Sequence, residues 1–96
     1  MSLSTIEKPR AAGPDSDLGG NWRVIVRNDD HNTFDHVART LARVLPGVSL
    51  EQGHRIAEQI HNSGQAIVWT GPREPAEHYW EMLDEAGLTM APLERG

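Results

Sequence analysis

The apolar residues of this chain change their period along its length, and that change decides which folds are open to it. Over Trp22-Arg23-Val24-Ile25-Val26-Arg27 the residues are β-branched and alternate, with Trp22, Val24 and Val26 on one side. That is the period-two pattern of a strand with one buried face. Beyond the polar turn Asn28-Asp29-Asp30-His31-Asn32 the pattern shifts. Phe34, Val37, Ala38, Leu41, Ala42 and Leu45 recur at steps of three and four, the spacing of one face of a helix. Asn32 is the expected N-cap, with Asp35 three residues on, and Pro46-Gly47 closes the helix.

The period then switches three more times. Ser49-Leu50-Glu51-Gln52 is a capping box, and Leu50, Gly53, Ile56, Ala57 and Ile60 mark the buried stripe of a second helix. Gly64 supplies its left-handed C-cap. Gln65–Thr70 reads as a second strand, which Gly71-Pro72 breaks. Pro75 is tolerated only in the first turn of a helix, and Ala76, Tyr79, Trp80, Leu83 and Ala86 carry a third helix that ends at Gly87. Leu88–Leu93 reads as a short third strand, confined by Pro92 to an edge or an end. The order β-α-α-β-α-β predicts the α/β class: a small two-layer sandwich with three helices on a three-stranded sheet. Residues 21–96 are the expected core domain. Residues 1–20, with Ala11-Ala12-Gly13-Pro14-Asp15 and Gly19-Gly20 and no apolar period, are expected to form a flexible N-terminal extension.

Composition removes several function classes. No cysteine is present, so disulfides, thiol catalysis and cysteine-ligated metals are excluded, in keeping with a cytoplasmic location. The net charge of −5 and the single lysine, Lys8, argue against nucleic acid, whose phosphates draw on clustered cations. No apolar run approaches the roughly 20 residues of a membrane helix, and no apolar leader follows a basic start. The five histidines fall 5, 18, 7 and 17 residues apart, with no i,i+4 pair and no zinc spacing, so neither a metal nor a cofactor is expected. No serine or threonine stands out as a nucleophile, and a lone His61 with Asp29 offers at most acid–base work. An enzyme is not the expected reading.

Asn28-Asp29-Asp30 lies where the first strand hands over to the first helix, and His61 lies in the last turn of the second. An amide oxygen, a carboxylate and a neutral imidazole are all acceptors, and around one small cavity they suit a protonated amine. The same residues also serve simply as a turn, an N-terminal charge complement and a histidine placed at a negative helix end. Phe34, Val37, Ala57 and Ile60 are equally consistent with plain core.

Taken together, Val26-Arg27-Asn28-Asp29-Asp30, the helix with Phe34, Val37 and Leu41, Ile60-His61-Asn62-Ser63-Gly64-Gln65-Ala66, Ala76-Glu77 and Gly87-Leu88-Thr89 with Leu93-Glu94 resemble the ClpS family, adaptors of the Clp ATP-dependent protease. The match runs from Trp22 to Arg95 in order and spacing, and the ending looks most like the divergent second adaptor of cyanobacteria. The resemblance implies the same α/β sandwich and a protein that binds bulky hydrophobic N-terminal residues (N-degrons) and delivers them to a Clp AAA+ unfoldase, through that unfoldase's N-terminal domain. By position it implies that Asn28, Asp29 and His61 hold the α-amino group. Asn32, Phe34, Val37, Ala57, Ile60, Thr89 and Met90 correspond to the hydrophobic pocket. Phe34 and Ala57 stand where many relatives carry Met, and Asn32 where many have Thr. Glu74 matches an acidic position of the unfoldase-facing surface, and Tyr79 replaces a typical Lys there. The alternative is a regulatory protein that docks on a Clp-type unfoldase without recognising N-termini; an open pocket favours the first reading, one closed by Phe34 the second.

Overall fold

The computed structural model describes residues 20–96, so the extension expected over 1–20 falls outside the described residues except for Gly20. Six elements follow in the expected order: β1 (Trp22–Arg27), α1 (Phe34–Val44), α2 (Leu50–Ser63), β2 (Gln65–Gly71), α3 (Arg73–Glu85) and β3 (Glu94–Arg95). The sheet is antiparallel, with β1 at its centre in the order β2-β1-β3. Val24, Val26, Ala66 and Val68 point into the core, where they meet Leu41, Val44 and Leu45 of α1 and its end, Ile60 of α2, and Ala76 and Leu83 of α3.

In β1 the valines Val24 and Val26 join this core as expected, but burial does not alternate, since Ile25 between them is buried outside it. In β2 the alternation breaks. Val24 pairs with Trp69 but Ile25 pairs with Ile67, so Val68 is an extra residue. This bulge lets consecutive residues Val68 and Trp69 both pack on the helix layer. Trp69 meets Tyr79 of α3 edge to face, with ring centroids 4.9 Å apart, while Ile67 stays on the exposed outer face.

Three local expectations need correction. The N-cap of α1 is Thr33, whose hydroxyl accepts from the His36 amide at 3.0 Å; Asn32 has other partners, described below. The segment Leu88–Leu93 is not the third strand. It touches β1 only irregularly: Arg27 N donates to Thr89 O, Met90 bridges Val26, and Ala91 N donates to Ile25 O. Pro92 has no N–H to give, and regular pairing begins only at Glu94, opposite Arg23. Leu50 is also half exposed, because it is the first residue of α2 and lies beyond the stripe that reaches α1.

The capping box forms as expected: Ser49 Oγ accepts from Gln52 N and Ser49 N donates to the Gln52 side chain, both at 3.1 Å. Gly64 ends α2 at φ +91°, a conformation that favours glycine. Gly53 is required for a different reason. It faces the backbone of Ala38, and a Cβ there would meet the Ala38 carbonyl and lie 3.1 Å from Cα of Ala38. Glycine therefore sets how closely α1 and α2 approach.

Because β1 and β2 run antiparallel, one pole of the sheet holds Arg27 and Gln65 and the other holds Trp22 and Gly71. α3 starts at the second pole and returns toward the first, where the Asn32 amide donates to Gly87 O and a His36 ring nitrogen donates to Ala86 O, both at 3.0 Å. At the second pole β3 joins the sheet, and Gly96 N donates to Asn21 O at 2.8 Å.

Candidate functional site

At the first pole the end of β1, the start of α1 and the last turn of α2 leave a cavity of about 270 Å³ between them. Its apolar wall comes from Val37 on α1, Ala57 and Ile60 on α2, and Val26 and Leu88 at the sheet. Its polar wall comes from Arg27 at the end of β1, from the β1–α1 loop, with Asn28, Asp29, Asp30, Asn32 and Thr33, and from His61 and Thr89. Phe34 stands at the mouth, about half exposed, and meets His61 edge to face with centroids 5.1 Å apart. The ring does not close the cavity.

Eleven positions were expected to line or face this space or its docking surface beyond Met90, and the structure divides them clearly. Asn28, Asp29, Asn32, Phe34, Val37, Ala57, Ile60, His61 and Thr89 all line one cavity. Met90 does not: it bridges Val26 and packs against the core. Glu74 is exposed in the first turn of α3, at the opposite pole, separated from the cavity by the length of β1, roughly 17 Å at about 3.3 Å per residue. Tyr79 is half-buried against Trp69, so part of its ring is already committed to the fold.

Asp29 organises the loop. Its Oδ1 accepts from the amides of His31 and Asn32, both at 2.7 Å, and its Oδ2 accepts from the Asn32 side chain at 2.8 Å and from the Thr89 hydroxyl at 2.6 Å. An ionised carboxylate has about four acceptor positions, so these four donors fill it. Desolvation pushes its pKa up, but the bonds from Thr89, Asn32 and His31 outweigh that and hold the carboxyl well below the usual carboxylate range. Asn32 makes its contribution here, between Asp29 and Gly87, and not as a helix cap.

Three of the other polar groups are open. Among the described residues no hydrogen bond or ion pair reaches the Asp30 carboxylate, the Asn28 side-chain amide or the His61 ring nitrogens. Asn28 is fixed through its backbone, whose N–H donates to Gly64 O at 2.9 Å. That bond ties the loop to the C-terminus of α2, the negative end of the helix dipole, which favours a nearby cation. The resemblance names Asp29 and not Asp30, and nothing in Asn28-Asp29-Asp30 alone tells the two carboxylates apart. The donors that Asp29 receives from His31, Asn32 and, 60 residues away, Thr89 do so.

An apolar hollow rimmed with acceptors and one carboxylate that have no partner among the described residues suits a ligand with a bulky apolar group beside a cation. Among the described residues no three His, Asp or Glu side chains come together as a metal site, and no helix is long and apolar enough to cross a membrane.

Known proteins share this architecture. The Agrobacterium tumefaciens protein ClpS2, solved bound to L-phenylalaninamide, superposes with a TM-score of 0.70 at 29% identity, over 80% of this chain and 98% of that one. An ATP-dependent Clp protease adapter protein ClpS from Nostoc sp. is 55% identical over 74 residues, 77% of this chain and 76% of its own length. That from Synechococcus elongatus is 33% identical over 89 residues, 93% of each chain. The family model for the ATP-dependent Clp protease adaptor protein ClpS matches residues 19–94. The chain therefore belongs to the ClpS family of Clp protease adaptors.

Proposed function

We propose that this adaptor recognises proteins by a bulky hydrophobic N-terminal residue and delivers them to the N-terminal domain of a Clp AAA+ unfoldase in the cytoplasm. The observation that carries the proposal is the single cavity in which Val37, Ala57, Ile60 and Leu88 stand beside Asn28, Asp30 and His61. A cavity of about 150 Å³ is enough for benzene, so about 270 Å³ takes the ring of a phenylalanine. The ligand of the Agrobacterium tumefaciens relative, L-phenylalaninamide, combines such a ring with a free amine.

In this reading the α-ammonium donates to the Asn28 amide oxygen, to a neutral nitrogen of His61 and to the Asp30 carboxylate, directly or through water. Asp29, with its acceptor positions filled, acts through its field and through the loop it holds. The protein contributes binding alone, and ATP hydrolysis and proteolysis belong to the Clp machine. Glu74 at the far pole and the exposed part of Tyr79 midway along α3 form part of the unfoldase-facing surface. The open mouth beside Phe34 favours this reading over docking without N-terminal recognition.

The test is a binding screen of short peptides that differ only in their first residue. Phe and Leu should bind best, since burying such a side chain contributes roughly 1.5–3 kcal/mol. Equal affinity for a peptide beginning with Ala would overturn the proposal.

A further inference from the structure

We propose that Thr89 is the positioning residue of the amine site, acting through Asp29 and touching no ligand itself. The proposal rests on the reading of this cavity as a site for an N-terminal amine, and it reassigns a side chain expected only as pocket wall.

Thr89 is anchored twice. Its carbonyl accepts from Arg27 N at 2.8 Å, which fixes it to the last residue of β1, and its hydroxyl donates to Asp29 Oδ2 at 2.6 Å. Asp29 in turn shapes the turn through the amides of His31 and Asn32 on its other oxygen. Oδ2 has one further donor, the Asn32 side chain, which belongs to the same loop and moves with it. The Asn32 side chain also reaches Gly87 O at 3.0 Å, so the loop holds two side-chain bonds to the segment after α3. Among the described residues, only the Thr89 bond acts on the carboxylate from outside the loop.

Asn28 and Asp30 flank Asp29 in sequence, so the direction in which they present their acceptors follows from how Asp29 is pinned. Thr89 is exposed and lies outside the apolar core, so its hydroxyl acts on the domain through Asp29. Losing this one of four donors should cost less stability than losing the carboxylate, while loosening the acceptors.

The test compares Thr89→Val, which keeps the shape and removes the hydroxyl, with Thr89→Ser, which keeps the hydroxyl. Two quantities are read on the full chain: affinity for a Phe-initiated peptide with free or acetylated amine, and hydrogen exchange of the His31 and Asn32 amides. Thr89→Val should weaken binding of the free-amine peptide about five- to tenfold with a smaller loss of Tm than Asp29→Ala. It should also speed exchange at both amides, and Thr89→Ser should restore both quantities. Wild-type affinity and exchange in Thr89→Val would overturn the proposal, as would a Thr89→Ser variant as weak as Thr89→Val. If the wild-type chain fails to distinguish free from acetylated peptide, the amine-site reading itself falls. The exchange measurement then decides alone whether Thr89 holds the loop.

Discussion

Phe34 and His61 meet edge to face at the mouth of the cavity, their ring centroids 5.1 Å apart and their planes at 66°. One ring is a wall and the other carries an acceptor, so a change in the first is felt by the second. Aromatic pairs of this geometry contribute about 0.5–1.5 kcal/mol. Phe34→Ala should weaken a Phe-initiated peptide roughly two- to tenfold and improve a Trp-initiated peptide relative to a Leu-initiated one, because the mouth widens. Fluorescence anisotropy with the three peptides measures this. An unchanged order of preference would show that Phe34 does not shape the pocket.

Acetylating the peptide amine removes the cation and two of its three donors. Hydrogen bonds involving a charge contribute about 1.5–3 kcal/mol each, so affinity should fall at least about a hundredfold. An α-amino group titrates near 7.7–8.0, and binding of the free-amine peptide should also weaken as pH rises past about 8. An acetylated peptide that binds as well as the free one would remove the amine site from the account.

The two neighbouring carboxylates should part company. Asp30→Asn removes the unpaired charge of the cavity and should weaken the free-amine peptide about tenfold with little change in Tm. Asp29→Ala takes the acceptor from four donors, so it should lower Tm as well as affinity. Thermal denaturation beside the binding assay separates them, and an Asp30→Asn variant with full affinity would return the direct role to Asp29.

Asp29 also gives the fold an acid dependence. Its folded pKa lies below its ordinary value because Thr89, Asn32 and His31 outweigh the effect of desolvation, so the folded state prefers the deprotonated form. The stability gained is complete above about pH 4, the unfolded value, and is lost as pH falls through the lowered folded value. Urea unfolding should show a gap between wild type and Asp29→Asn at pH 7 that narrows below pH 4. A gap that stays constant would mean that the carboxylate is not held by these donors.

Gly53→Ala tests the approach of α1 and α2. In an open helix the change would stabilise by about 1 kcal/mol. Here the new Cβ meets the Ala38 carbonyl, which is backbone and cannot swing aside, and overpacking costs typically 1–3 kcal/mol. The net result should be a Tm lower by roughly 4–8 °C for each kcal/mol lost. A higher Tm would show that the two helices separate freely.

What could be read from the residues depended on how far apart the partners stand. The Ser49–Gln52 capping box and the Gly64 cap lie within single turns of chain, and both formed as read. Asn32 and Thr33 are both good caps, and the choice fell to Thr33 because Asn32 is engaged by Asp29 and by Gly87, 55 residues away. The bulge at Val68 changes no residue type and so leaves no mark in the pattern. Leu88–Leu93 is apolar enough for a strand, but Pro92 and the irregular bonds to β1 deny it a ladder. In the site, residue types alone left the cavity wall as plain core and the resemblance to the ClpS family named it, while the difference between Asp29 and Asp30 emerged only from the donors that Asp29 collects from His31, Asn32 and Thr89.

The central strand β1 is the first element of the domain, and its partner β3 is the last, with Trp22 opposite Arg95 and Arg23 bonded to Glu94 at 2.8 Å. During synthesis β1 leaves the ribosome long before either neighbour exists, and β2 can cover only one of its edges. The other edge is covered in two stretches, Ile25–Arg27 by Thr89–Ala91 and Trp22–Arg23 by β3, and both lie more than 60 residues further along the chain. A chain cut short before Thr89 would leave that whole strand edge open, the kind of surface on which chains aggregate. An adaptor for protein destruction thus becomes, when unfinished, a candidate for destruction itself.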